Sequence, residues 1–272
     1  MLGPLIFEKN KIDLDAPNIS ITVTDSVASD PGTDFVDLMR NRRNDSGWGT
    51  AGSSDAGATT LIFNMTDDYL ISDIIIAFHN LKRYTIDYWN GSTYVDFPGA
   101  EAVAVLNNVN NTTHHRFTPV TTSRIRLIIV ETQTPNDDKY IGQFIITNRI
   151  GQFEVEPFIR KPKQERGRKI RKMLSGRSNI TRSLGATSFS YQFPKNLNGA
   201  DMAILQRMFE AVNGFIVWNC GGTVDQFPMV IPGFRMHDIY LMQCANDFDG
   251  EWNDGHFNHG QSTEVQLVES RT

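Results

Sequence analysis

The densest group of side chains able to do chemistry lies between Asp247 and Gly260, where Asp247, Asp249, Glu251, Asp254, His256 and His259 fall within a dozen residues. Carboxylates so placed could gather oxygens around calcium, and two histidines three apart could hold a transition metal. The stretch lacks the ordered ligand spacing and inner glycine of an EF-hand loop. Its Asp, Asn and Gly content describes a solvated loop equally well, and that is the expectation. His114 and His115 form the second candidate. They stand at a strand start, where successive side chains leave opposite faces, so they cannot share one ion and surface positions are expected. No Gly-x-Ser-x-Gly elbow, no cysteine with an evident histidine partner and no phosphate-cradling glycine loop stands out. Cys220 follows the apolar run Phe215 to Trp218 and reads as a buried thiol. The paired acids Asp67–Asp68 and Asp137–Asp138 sit where aspartate favours turns. These observations predict a protein that is not an enzyme and carries neither metal nor cofactor.

Binding chemistry is better represented. A flat aromatic ring can stack on the apolar face of a sugar while polar neighbours fix its hydroxyls. Trp48, in a loop of Gly, Asn and Ser, and Trp89, followed by Asn90, are the candidates. Trp89 alternates with Tyr88, so one of the two points inward.

Elements of a mainly β protein must position these residues. The chain has 272 residues, 40% of them hydrophobic, which is enough for two ordinary domains with sizeable cores. The net charge of −5 is not that of a nucleic-acid-binding chain. Two cysteines, and a first segment without a basic start or long apolar run, suggest folding in a reducing compartment. No apolar stretch is long enough to span a membrane.

Strands are predicted at Thr59 to Met65, Ile71 to Phe78, Tyr84 to Trp89, Ser92 to Phe97, His114 to Val120, Arg124 to Val130 and Tyr140 to Thr147. Asn90-Gly91 between two alternating runs predicts a tight type I′ hairpin. Short strands at this spacing indicate a sandwich or barrel. The first domain is placed at residues 1–150, with the N-terminal strand near Leu5 to Phe7 grouped into it; packing of that strand on the second domain stays open. The second is placed at 151–272.

The second half opens on a basic arm. From 160 to 182 the chain carries Arg160, Lys161, Lys163, Arg166, Arg168, Lys169, Arg171, Lys172, Arg177 and Arg182, against Glu165 alone. Contact with phosphates, a plain solvated arm, and docking on an acidic neighbouring subunit are the readings open to it. The absence of interleaved aromatics counts against nucleic acid. Thr187 to Phe193 alternates as a strand. One helix is expected at about 198–213, with Met202, Leu205, Met208, Phe209 and Val212 on one face and Gly214 as its left-handed stop. Phe215 to Trp218, Met229 to Ile231, Asp238 to Met242 and Thr263 to Val268 are read as further strands.

Asp37-Leu38, then Asn44-Asp45-Ser46-Gly47-Trp48-Gly49-Thr50, the strands at Thr60 and Ile71, the Tyr84 to Tyr94 hairpin and Arg124-Ile125-Arg126-Leu127 follow one another in the order of a known pattern. In this the first half resembles a discoidin or coagulation-factor type C domain, of the galactose-binding-like jelly rolls. The resemblance implies a structural, packed role for Trp48. The cysteine pair of secreted members is absent. The lipid-binding spike loops are not recognisable, so no membrane docking is implied. Gly185 to Phe193, the 201–212 helix and Gly214 to Trp218 resemble the ring-forming domain of tailed-phage distal tail and baseplate hub proteins, a split barrel with one helix.

Together these resemblances imply a virion structural protein of a phage tail tip, assembled in the host cytoplasm. It would form a ring of six or three copies and dock tail-tube and baseplate proteins through the arm residues Arg160, Lys163, Arg166, Arg168, Lys169, Arg171 and Lys172. Its jelly roll could touch a host surface glycan. The alternative expectation is a carbohydrate-binding module acting through the jelly roll.

Overall fold

The computed structural model describes residues 4–16, 18–41, 46–99, 104–154, 158–159, 163–164, 167–172, 178–183, 187–193, 197–211, 214–218, 239–244 and 264–269. The chain divides into two compact units, one of Asn10–Arg149 and one joining Met1–Lys9 to Ile150–Thr272.

The Asn10–Arg149 unit is a jelly-roll β-sandwich. Two long strands, Thr59–His79 and Thr112–Thr132, pair antiparallel along most of their length. Each was expected as two strands. The register shifts between Asn64 and Tyr69, and again between Ile71 and Asp73. At the first shift the extra residues lie on the Thr59–His79 strand. At the second they lie on its partner, around Pro119, a residue that a strand tolerates at a bulge. Bulges bend paired strands, so one strand can serve both layers.

The first layer pairs Ser20–Asp25 with residues 59–64, and sets Leu81–Trp89 and Tyr94–Asp96 beyond residues 124–132. The second pairs Tyr140–Thr147 with residues 73–79, and Trp48–Gly49 with Tyr140–Thr147. Leu61, Phe63, Ile125, Leu127, Ile129, Tyr84 and Ile86 turn inward to meet Ile74, Ile76, Phe144 and Ile146. Phe63 and Phe144 stack across the core with ring centroids 4.3 Å apart. A 3-10 turn, Thr33–Arg40, stands where no helix was expected, and buries Met39.

The main sheet among the described residues of the other unit runs in the order Arg149–Gln152, Leu5–Glu8, Phe215–Trp218, Ile239–Cys244, Glu264–Glu269, Thr187–Gln192, Phe158–Ile159. The sequence groups Leu5–Glu8 with the first domain and leaves a place on the second open. The strand's four residues are in register with Phe215–Trp218, and Leu5, Ile6 and Phe7 are fully buried. An apolar strand this short gains most by completing a sheet, and its partner is the equally apolar FIVW run. In sequence the jelly roll is therefore an insert between two neighbouring strands, rather than a leading domain.

The helix spans Gly199–Glu210. Asn198 caps it by accepting from the Asp201 amide at 2.7 Å, and Gly214 follows with φ of 84°. Met202, Leu205 and Met208 bury against Tyr191, Phe193, Phe215 and Val265, as the spacing of three and four predicts.

Candidate functional site

The outward side of the first layer is built by strict alternation. Along Leu81–Trp89, Tyr84 and Ile86 enter the core, and Tyr88 leans on it against Phe97 at 5.0 Å. Thr85, Asp87 and Trp89 therefore take the opposite face. The same parity puts Tyr94 and Asp96, Arg124 and Arg126, and Ile62 and Asn64 on that face. The register aligns them in two rows. Asn64 pairs Arg124 and Trp89 pairs Tyr94. Ile62 pairs Arg126, which pairs Asp87, which pairs Asp96.

The rings and cations interleave. Trp89 and Tyr94 meet edge to face, 5.2 Å apart. The Arg124 guanidinium lies over Trp89 at 5.3 Å and that of Arg126 over Tyr94 at 4.4 Å. Arg126 donates from Nε to Asp87 Oδ2 at 3.0 Å, and a second bond from Nη2 reaches the same oxygen. Thr122 donates to the Trp89 carbonyl at 2.8 Å and so ties the strand end to its neighbour. Trp89 and Tyr94 are half-buried, and Arg124 is exposed. The result is a fixed aromatic step, bordered by planar donors and by carboxylates.

The three residues expected at a sugar site fare differently. Trp89 sits at the centre of this face. Asn90 is committed to the turn, because its Oδ1 accepts from Ser92 N, Ser92 Oγ and Thr93 N at 2.9–3.0 Å, leaving only Nδ2 to donate. The turn is a four-residue loop between the paired Trp89 and Tyr94, with positive φ at Gly91 alone, and not the two-residue type I′ hairpin. Trp48 is fully buried and unavailable to a ligand. It pairs with Ile141 and packs beside the 3-10 turn. Gly32, at φ of 75°, comes so close that a Cβ there would lie 2.7 Å from Trp48 Nε1 and 2.2 Å from the Gly49 carbonyl. Tyr94, Asp87, Arg124 and Arg126 were not singled out from the sequence, although their shared parity with Trp89 was there to be read.

His114 and His115 are internal, contrary to the surface placement expected. The side chain of His114 is 2% exposed, and its Nε2 lies 2.7 Å from Asp73 Oδ1. Arg149 and Ser72 also bind the Asp73 carboxylate. On the opposite side of the strand, His115 Nε2 lies 3.0 Å from the Tyr84 hydroxyl, which donates to Thr113 Oγ1 at 2.8 Å. His79 Nε2 reaches the same Thr113 oxygen at 3.1 Å. Burial holds His79 down to about 3 and His115 to about 4, each helped by the neighbouring histidine's charge. This is a buried, hydrogen-bonded polar network, as groups in such a core require.

Among the described residues no three metal-ligating side chains converge. The cluster from Asp247 to His259, the strand expected at Met229 to Ile231, and Cys220 lie outside the described residues. Cys244 is half-buried, and burial pushes its thiol up to about 12, far from a reactive thiolate.

Of the arm, Arg160 and Arg166 lie outside the described residues, and Lys163 belongs to a two-residue strand that pairs with Thr187–Gln192. Gly167–Lys172 and Ser178–Ser183 form a two-stranded antiparallel hairpin apart from the main sheet. It places Arg168 opposite Arg182, and its two strands hold five basic residues and no acid.

No protein-family model matches the chain, and no curated protein matches it. Among solved structures it is similar to chitosan-binding module 1 of a chitosanase/glucanase from Paenibacillus sp. IK-5, at 13% identity and a TM-score of 0.41, over 52% of this chain and 99% of the module. It is also similar to a module from Clostridium perfringens, CpGH89CBM32-5, solved with GalNAc-β-1,3-galactose, at 8% identity and a TM-score of 0.36, over 47% of this chain and 95% of that one. A GH29 fucosidase from Ruminococcus gnavus matches at 12% identity and a TM-score of 0.38; half of this chain covers 26% of the fucosidase.

Proposed function

We propose that the jelly roll is a non-catalytic carbohydrate-binding module that takes its ligand on the outward Trp89–Tyr94 face. The observation that carries this reading is the interleaving of Trp89, Tyr94, Arg124 and Arg126, with Asp87 holding Arg126 in place. Two rings at an angle offer a step on which a pyranose can rest its apolar side. The guanidinium edges donate to ring and hydroxyl oxygens, and Asp96, exposed in the next row, accepts from hydroxyls. The rings are braced by cross-strand contacts, so little ordering is left for binding to offset. The expected result is saturable binding of at least one oligosaccharide in a glycan screen of the full chain. Trp89→Ala should weaken it by roughly fivefold to a hundredfold, an aromatic contact of about 1–3 kcal/mol being lost. Retention of full affinity by Trp89→Ala would place the ligand elsewhere.

A second reading, assembly as a component of a tailed-phage tail tip, is favoured by the basic hairpin. Like charges opposite one another weaken a two-stranded ribbon, which is marginal alone. Arg168 opposite Arg182, with no acid in either strand, is what docking on an acidic neighbour would use. The two readings are compatible, since a tail protein can present a glycan-binding module. Light scattering should show a closed oligomer that loosens with salt, and replacement of Arg168, Lys169, Arg171 and Lys172 by Ser should leave a monomer. A strict monomer at high concentration, unchanged by these substitutions, would remove the assembly reading and leave the module reading standing.

A further inference from the structure

Lys139 is a lysine with no exposed surface, at the start of the strand that crosses the second layer of the jelly roll. Its Nζ lies 2.7 Å from Ser53 Oγ, 2.9 Å from the Gly57 carbonyl and 3.1 Å from the Ser54 carbonyl. An ammonium has three N–H donors, and each finds an acceptor here. The Asp25 carboxylate, whose side chain is equally buried, stands at 3.5 Å. Asp25 is itself fixed by the Thr59 and Ser53 hydroxyls and by the amides of Val27 and Ala28 at 2.8 Å. Four oxygens from two separate segments, the Asp25 turn and the 53–57 loop, thus converge on one buried nitrogen. Two carbonyls, a hydroxyl and a carboxylate make a hard, all-oxygen shell of the kind that binds simple cations. One formal negative charge in that shell matches one positive charge, and a divalent ion would leave an excess buried.

We propose that the oxygen cage around Lys139 Nζ is a monovalent-cation site which the chain fills with its own ammonium, and that removing the side chain opens it to ammonium ions or K⁺. The lysine cross-links the Asp25 turn to the Ser53–Gly57 loop as a bound ion would, but without an exchange equilibrium. Asp55 shares the benefit: burial alone would raise its carboxyl, but the bonds from Asn136 and Thr132, and then the Lys139 charge, hold it low. The loop of residues 53–57 and the turn of residues 25–28 therefore owe their order to a tethered charge.

The test uses the full chain and the variants Lys139→Ala and Lys139→Met. Lys139→Ala should melt roughly 10 °C below the parent. Propylammonium, ammonium or K⁺ should raise that temperature saturably, while the parent responds to none of them. Lys139→Met, which refills the shaft without the charge, should melt low and stay low in propylammonium. Tetramethylammonium, which has no N–H to donate, serves as the salt control. Should Lys139→Ala fail to fold alone, it is refolded with propylammonium present, and recovery with that cation only counts as support. The proposal falls if Lys139→Ala melts with the parent, if no cation restores it, or if tetramethylammonium restores it equally. Restoration by Ca²⁺ in preference to the monovalent ions would overturn the assignment of charge.

Discussion

Between pH 6.5 and 4 the jelly roll should lose stability steeply, by up to roughly 2–3 kcal/mol for each pH unit, because His79 and His115 are both held neutral in the folded state. Burial is the main cause for each, and it lowers them to about 3 and about 4. In the unfolded chain both take a proton near 6.5, so unfolding is coupled to proton uptake throughout this window. Stability is intact above 6.5 and falls as the pH falls, which is the sign for a base whose folded value is depressed. Protonation has a structural cost as well. His79 Nδ1 accepts from the Leu81 amide at 3.1 Å, and a proton on that nitrogen removes the bond. Among the described residues His115 faces Tyr84 and Thr113 rather than a carboxylate, while the Asp73 carboxylate is taken by His114, Arg149 and Ser72.

Below about 3.8 the carboxylates add to the loss. Burial alone would raise Asp25, but the bonds from Thr59, Ala28 and Val27 and the Lys139 charge bring it to about 2. A depressed acid contributes stability above its ordinary value and loses it as the pH falls further. The summed effect is comparable to the whole stability of a domain, so acid unfolding of the jelly roll is expected before pH 4. Urea midpoints of the full chain from pH 7 to 4 are the measurement. His115→Gln can keep a bond to Tyr84 without titrating, and should remove about half of the slope. A flat midpoint across this window would show that neither ring is held neutral.

Much of the architecture could be read from local pattern, and the exceptions have physical causes. The runs Tyr140–Thr147 and Phe215–Trp218 emerge with the bounds expected, since a short, apolar, β-branched or aromatic run has few alternatives. Asp67–Asp68, after the strand expected at Thr59 to Met65, reads as a turn that ends it. Pairing with the Thr112–Thr132 strand instead carries the backbone through a bulge. Leu5–Glu8 shows the limit of local reading most clearly, because its partner lies more than two hundred residues away in sequence. For the candidate site, Trp89 stood out by residue type alone, whereas Asp87, Tyr94, Arg124 and Arg126 gain meaning only once parity and register bring three strands together. Trp48 carried two signals, and the packed role implied by the discoidin resemblance is the one its full burial matches. A tryptophan among Gly, Asn and Ser suggests a loop tip, but Gly47 is there because a Cβ would lie 2.5 Å from the Ile141 carbonyl and 2.7 Å from Gly142 Cα.

Asp73→Ala should destabilise the jelly roll by about 3–5 kcal/mol, the cost of taking one partner from a buried ionic cluster. Asp73 is fully buried on the central strand of the second layer, where apolar Ile74 and Ile76 neighbour it in sequence. Its carboxylate accepts from His114 Nε2 at 2.7 Å, Arg149 Nη2 at 2.6 Å and Ser72 Oγ at 2.5 Å. Burial by itself would favour the neutral acid, but these three groups and the charges of His114 and Arg149 hold it below the ordinary carboxylate value. Truncation leaves an arginine and a histidine, 12% and 2% exposed, facing a void in place of an anion. The cluster also closes the insert, because Arg149 is its last residue and the Arg149 amide donates to Ser72 Oγ at 2.8 Å. Asp73→Asn keeps the shape and an acceptor but not the charge, and should cost distinctly less than Asp73→Ala. Chemical denaturation of the two variants at pH 7 separates the contributions. A large loss for both would assign the cluster's stability to charge, a loss confined to alanine would assign it to hydrogen bonding and packing, and no loss for either would show that Arg149 and His114 are satisfied without Asp73.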